Sequence, residues 1–300
     1  MTNNIASVPT PQNEPVLDYR PGSDERRLIK ANLQELRKSS IEIPLIIGGQ
    51  PVKTGKLGRC TIPHDHGHQL AVFHQAGQNE VAEAIEAART AADSWAAMAW
   101  EDRLAIFLRA ADLIARPRRM RINAATMLGK GKNIMQAEID AACETIDFLR
   151  FNAYYATRIY QQQPLSGAGE WNLLEYRPLE GFVFAVTPFN FTAIGGNLPS
   201  APAMLGNTVL WKPASSAVYS SWIMMEIFMA AGLPPGVINF IPGPGPQVGD
   251  PVLASPHLAG IHFTGSTAVF QAMWKAVGNH ISRYRTYPRI VGETGGKDFI

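Results

Sequence analysis

GFVFAVTPFNF, residues 181–191, decides how the rest of this chain is read. A short run of β-branched and aromatic residues breaks at Thr187-Pro188, the signature of a buried strand entering a turn. The run opens a segment, 181–211, that contains no charged residue at all. That length suggests a membrane span. Pro188, Pro199, Pro202 and three asparagines argue against one, because a lipid-facing helix tolerates such freed backbone groups poorly. The segment therefore reads as deeply buried α/β core.

Runs of the same kind follow: TVLW (208–211), VINFI (237–241) and GIHFT (260–264). Helical patterns over 218–231, closed by Gly232 and Pro234, and over 267–277 separate them. Strand–helix alternation predicts a parallel sheet with right-handed crossovers. Ligands of such sheets sit beyond the carboxyl ends of the strands. The residues placed there are Thr187 to Asn190 after the first run, Lys212 after the second, and Gly265-Ser266 after the fourth. Glu293 is expected in a glycine-rich turn after a fifth run near Ile290. Each has an ordinary explanation: an Asx turn, a solvated lysine, a helix cap, a loop carboxylate. Together they provide an amide donor, a cation, a helix N-terminus and a carboxylate on one sheet edge. That set can hold a dinucleotide and stabilise a negative oxygen beside it.

Two look-alikes are set aside. GPGPQVG (243–249) lacks the G-x-G-x-x-G spacing, and its prolines remove amide donors. His64, His66, His68 and His74 lie close together, but no cysteine or acidic cluster accompanies them, so they are expected to form a polar surface rather than a metal site.

The first half reads as helical. Ser23 can cap a segment bearing Leu28, Leu33 and Leu36. Asn79 precedes one with Val81, Ile85, Ala88, Ala92 and Trp95 at helical spacing. Further helices are predicted over 101–116, stopped by Pro117, and over 134–160, with short β-like runs at 43–47 and 70–73. Apolar residues at 46% and charged residues at 17% fit a globular core. A net charge of +2 gives no reason to expect nucleic acid or an anionic membrane as partner. Two cysteines, Cys60 and Cys143, are too few for a disulfide framework and point to a reducing compartment. The N-terminus has no apolar signal region, and its first basic residue is Arg20, so cytoplasm is expected, with the mitochondrial matrix as the alternative.

TPFNFTAIGG, VLWKP, FTGS and GETGGKD occur in the order and approximate spacing of the aldehyde dehydrogenase superfamily, which this chain resembles from about residue 14 to its last residue. GKGKNIMQAEIDAACETIDFLRFNAYYA and FNFTAIGGNLPSAPAMLGN look like the branch that oxidises L-glutamate γ-semialdehyde to L-glutamate in proline degradation. The resemblance implies an α/β fold with a helical N-terminal part and a Rossmann-like parallel-sheet NAD-binding domain. It implies the divisions 1–40 (arm and helix), 41–165 (helical part), 166–181 (oligomerisation-type hairpin) and 182–300 (NAD-binding core). It also implies a small aldehyde substrate and a homo-oligomeric full-length form.

In that family a cysteine thiolate attacks the aldehyde, hydride passes to NAD, and water hydrolyses the resulting thioester. Asn190 matches the oxyanion stabiliser and Glu293 the general base. Thr187, Lys212, Gly265, Ser266 and Thr267 match cofactor contacts. Glu144 resembles a glutamate near the aldehyde pocket, with a surface helix carboxylate as the other reading. Phe189 and Phe191 flank Asn190 and either line an apolar aldehyde tunnel or pack in the core. Ser215 stands where many relatives carry a ribose-binding glutamate, so NAD is expected without a charge that excludes NADP.

The chain is expected to stop before the glycine-rich segment with the nucleophilic cysteine, so that the catalytic domain is missing. Neither Cys60, read in an early loop, nor Cys143, read mid-helix without a basic neighbour, is expected to replace that nucleophile. The alternatives are a non-catalytic NAD-binding fragment and an aldehyde dehydrogenase of other specificity.

Overall fold

The computed structural model describes residues 7–295. Helix α1 (Asp24–Lys38) starts where Ser23 Oγ accepts the Arg26 amide at 3.3 Å. Its buried positions are Ile29 and Leu36, while Leu28 is 43% exposed. Leu36 and Leu33 keep the expected inward side, and Ile29 takes the place expected of Leu28. Five strands follow: β1 (Ile41–Ile43), β2 (Leu45–Ile47), β3 (Gln50–Val52), β4 (Leu57–Ile62) and β5 (Asp65–His74). Pro44 cannot donate to a ladder. It separates β1, which joins a β1-β5-β4 sheet, from β2, which with β3 joins the large sheet.

Helix α2 (Gln78–Ala97) buries Val81, Ala84, Ala88 and Trp95. Asn79 lies inside it; the first free amide, that of Gly77, is instead taken by Glu80 Oε2 at 2.7 Å. Helix α3 (Trp100–Ala115) follows, then α4 (Arg119–Lys130). The periodicity hid α4 because its buried face carries Arg119, Asn123 and Thr126 among Ile122, Ala125 and Leu128. The predicted long helix is α5 (Ile134–Ala137) and α6 (Thr145–Tyr160), joined by a π-helical stretch, Glu138–Glu144. Such wide turns cluster at functional sites.

The second half alternates as expected: β6 (Phe182–Val186), α7 (Thr192–Met204), β7 (Thr208–Lys212), α8 (Val218–Ala230), β8 (Ile238–Phe240), α9 (Gly245–Ala254), β9 (Leu258–Gly265), α10 (Thr267–Asn279) and β10 (Arg289–Thr294). The sheet runs β10-β9-β6-β7-β8-β2-β3, parallel from β10 to β8 and antiparallel at β2 and β3. The strand order reverses between β6 and β9, where the chain leaves β6 to one side and returns on the other. Dinucleotides bind at such a switch point.

Helix α7 tolerates its prolines for a visible reason. Pro202 has no N–H for the Leu198 carbonyl, and His262 Nδ1, on β9, takes its place at 3.0 Å. At Gly292 a Cβ would lie 2.2 Å from the Phe270 ring, so only glycine lets α10 pack on β10 there.

The segment expected to be the helical part thus also supplies strands, two of them in the large sheet. One core cluster runs from Tyr19 through Trp95 and Phe107 to Trp211 and Phe240, and a second gathers Leu45, Val81, Phe182, Phe184, Ile261 and Phe263. Between residues 161 and 181 the chain runs out and back. Gln163 bonds both the amide (2.8 Å) and the carbonyl (3.1 Å) of Leu174, so side chains rather than a strand ladder hold this arm among the described residues.

Candidate active site at the carboxyl edge of the sheet

Four adjacent strands, β10, β9, β6 and β7, deliver the predicted groups to one edge. Val186, Lys212 and Phe263 are level in the register, and Glu293 is level with Thr264. At about 4.8 Å per strand the whole set spans about 15 Å. Glu293 lies within β10 rather than in a following turn, exposed at the edge of the sheet. Its neighbours Gly296 and Lys297 lie outside the described residues.

Lys212 is not a solvated strand-end lysine. It is 9% exposed, and among the described residues the one acceptor bonded by its ammonium is the Pro213 carbonyl at 3.4 Å. Burial without a carboxylate holds its pKa below the ordinary lysine value. Thr187 is buried as well: its hydroxyl accepts from Trp211 Nε1 at 3.1 Å, which fixes the start of the loop. Ser266 caps α10, its Oγ accepting the Val269 amide at 3.4 Å. Gly265 and Ser266 bring that 13-residue helix to the switch point with its first amides facing outward, an anion-binding arrangement.

Asn190 is half-buried, and its side-chain amide makes no hydrogen bond among the described residues. Phe189 and Phe191 are 59% and 37% exposed, so they are not core residues. Glu144, last residue of the π-helical stretch, is half-buried and not a free surface carboxylate. Burial, then the neighbouring Asp140, raise its pKa against the opposing pull of Lys132; Asp147 and Glu293 raise it further.

Sequence reasoning gave no role to Asp140 or Lys132. Asp140 is 2% exposed and accepts the Thr192 amide at 3.0 Å and the Ala193 amide at 2.9 Å, the open N-terminus of α7. Lys132 pairs with it at 2.7 Å and lies 4.0 Å above the Phe191 ring. The available signal was negative: α7 begins after Phe191, which has no side-chain acceptor, so its first amides needed one from elsewhere.

Among the expected decoys, the 243–249 loop contains the start of α9 rather than a phosphate cradle. The histidines separate: His74 is buried, receives the Thr54 and Gly55 amides at Nδ1 (both 3.0 Å), and places Nε2 2.7 Å from Glu42. An Nδ1 that accepts leaves the proton on Nε2, so this is a structural histidine and not part of a polar surface. No metal-ligand cluster occurs among the described residues. Cys60 is in β4, not a loop, and burial lifts its thiol to about 12. Cys143 does have a basic neighbour, Arg119 Nη2 at 3.4 Å. Burial and Glu138 outweigh that cation and lift this thiol to about 12 as well.

The aldehyde dehydrogenase family profile matches residues 53–300. The chain is 51% identical over 294 residues to a delta-1-pyrroline-5-carboxylate dehydrogenase of Agaricus bisporus, covering 97% of this chain and 54% of that protein. It is 48% identical over 287 residues to the mitochondrial delta-1-pyrroline-5-carboxylate dehydrogenase of Homo sapiens, covering 96% and 51%. The crystal structure of the Mycobacterium tuberculosis delta-pyrroline-5-carboxylate dehydrogenase bound with NAD superposes with a TM-score of 0.97 at 53% identity, over 99% of this chain and 56% of that one. The chain spans about half the length of the curated relatives it matches. On the profile match, the identity and the shared architecture, it belongs to the aldehyde dehydrogenase family.

Proposed function

We propose that this chain supplies the cofactor-binding and water-activating half of an NAD-dependent dehydrogenase that oxidises L-glutamate γ-semialdehyde, in equilibrium with Δ1-pyrroline-5-carboxylate, to L-glutamate in proline degradation. The observation that carries the reading is the convergence of Lys212, the α10 N-terminus, Asn190 and Glu293 on four adjacent strands at the switch point. The substrate class rests on the named relatives.

The residues fit a dinucleotide. Lys212 is a buried cation without a carboxylate, suited to ribose hydroxyls, and the first amides of α10 with Gly265, Ser266 and Thr267 suit a pyrophosphate. Ser215 adds no charge against a 2′-phosphate, and NAD is assigned from the relative solved with it. When bound, NAD accepts the hydride. The Asn190 amide donates to the oxygen that becomes negative when a nucleophile adds to the aldehyde. Glu293 takes a proton from the water that releases the acid. Glu144, Phe189 and Phe191 border the aldehyde's approach. The nucleophile is assigned outside this chain, since both thiols here are buried and protonated at neutral pH.

We assign the 161–181 arm, with Leu165 94% and Trp171 85% exposed, to homo-oligomer assembly, which analytical ultracentrifugation tests. The compartment we propose is the cytoplasm, with the mitochondrial matrix as the alternative favoured by the human relative's name; cell fractionation separates them.

Two measurements test the function. Sequencing the coding region past codon 300 should reveal a glycine-rich segment with a cysteine, in frame or one base displaced, and the protein so completed should reduce NAD with glutamate γ-semialdehyde. Calorimetric titration of the 300-residue chain should show NAD binding that Lys212→Met removes. Binding without any such segment would leave an NAD-binding module; the absence of both would sink the reading.

A further inference from the structure

We infer that Asp140, with Lys132, is the positioning unit for the oxyanion-stabilising amide of Asn190; the inference rests on the role proposed for that residue. Asn190 sits on a loop fixed at both ends. At its start the Thr187 amide bonds the Lys212 carbonyl at 3.2 Å and its hydroxyl bonds Trp211. At its end the chain turns into α7 at Phe191, whose side chain cannot cap, and the two amides directly after it are held by the two carboxylate oxygens of Asp140. Thr192 is pinned a second time through its hydroxyl, 2.8 Å from Thr126 Oγ1.

Asp140 itself is placed by the wide π-helical turn, which moves it inward to 2% exposure, and Lys132 neutralises it at 2.7 Å. The same ammonium lies over the Phe191 ring, so one cation ties the carboxylate to the side chain next to Asn190. The Asp140 carboxylate spends its two oxygens on the Thr192 and Ala193 amides and on Lys132. Its effect is on where the Asn190 amide points, and an oxyanion donor is sensitive to such displacement because it acts only at hydrogen-bond distance from the developing charge.

Asp140→Asn keeps the shape but turns an N–H toward a backbone N–H. In the full-length enzyme assayed with glutamate γ-semialdehyde, it should lower kcat by on the order of 10–100-fold, with KM for NAD unchanged. In an Asn190→Ala background the same change should cost less than about two-fold, because the group it positions is gone. Equal losses in both backgrounds, or a parallel rise in KM for NAD, would overturn the inference. Hydrogen exchange on the 300-residue chain gives a readout free of activity: Asp140→Asn should speed exchange at Thr192 and Ala193 while the β6 and β7 amides stay protected. Unchanged protection at those two amides also overturns it, whereas a wild-type enzyme inert toward aldehydes with the exchange effect intact would sink the proposed function and leave the cap standing. If Asp140→Asn does not fold, Lys132→Met decides: a smaller fall in kcat, restored by Lys132→Arg, is expected, and no fall refutes the coupling.

Discussion

Two charged regions of this protein lie a short way apart and are built on opposite rules. Under the N-terminal strap, segment 14–19, Arg119 pairs with Glu14 and Glu138, and its Nη2 also reaches the Pro15 carbonyl at 2.7 Å. Glu138 further accepts from Leu17 N (2.9 Å), Tyr19 Oη (2.7 Å) and Asn123 Nδ2 (2.7 Å). Burial works against the Glu138 charge, but Arg119, the Leu17 amide and Tyr19 outweigh it and hold its carboxyl below the usual range. The knot even keeps Tyr19 at a φ of 53°, a left-handed backbone that a bulky residue adopts only when its surroundings impose it. At the carboxyl edge of the sheet Asp140 is paired with Lys132, but other polar groups are left wanting. Among the described residues Lys212 is buried without a carboxylate, Glu144 is raised by burial and by other acids, and the Asn190 amide makes no hydrogen bond. Satisfied buried charge organises a fold; unsatisfied charge at a switch point is what a ligand completes.

Removing a partner from each region tests that contrast. Arg119→Met strands Glu138 in the core and should cost about 3–5 kcal/mol in urea unfolding. A loss below about 1 kcal/mol would mean the knot is not the anchor of the strap. Asn190→Ala should leave stability within about 0.5 kcal/mol and lower kcat of the full-length enzyme about 10²–10³-fold. An equal fall in stability would move Asn190 to the structural side of the comparison. Lys212→Met should raise the stability of the ligand-free chain by about 1–3 kcal/mol, since an uncompensated buried cation is removed, and abolish NAD binding; thermal shift with and without NAD reads both.

The smallest effect is a pH dependence at Glu144. Its folded pKa lies above the ordinary carboxylate value, so the folded state holds that proton more tightly than the unfolded chain does. Below both values wild type and Glu144→Gln should differ least. As pH rises through the raised value the wild type should lose stability relative to the variant. Parallel unfolding curves from pH 4 to 8 would place Glu144 in solvent, as a surface helix residue.

The sequence by itself determined the strands β6 to β10 with α8 and α10, and hence which residues stand at the carboxyl edge. Runs such as FVFAV and TVLW are short and rich in β-branched and aromatic residues, and the structure buries them as strands. Family resemblance then gave those residues roles. Helix α4 was hidden because its inward face carries Arg119 and Asn123, polar groups whose burial is possible only with Glu138 in place. The turn expected at Glu293 proved to be strand because pairing with β9 extends to Thr294. Cys143 gained a cation and His74 a carboxylate from residues far away in the chain. Asp140 capping α7 belongs to the same class. Apolar strands and amphipathic helices follow from local patterns, which a sequence displays. The partner of a buried charge, and whether it has one, is set by contacts between distant segments, and only the tertiary structure decides it.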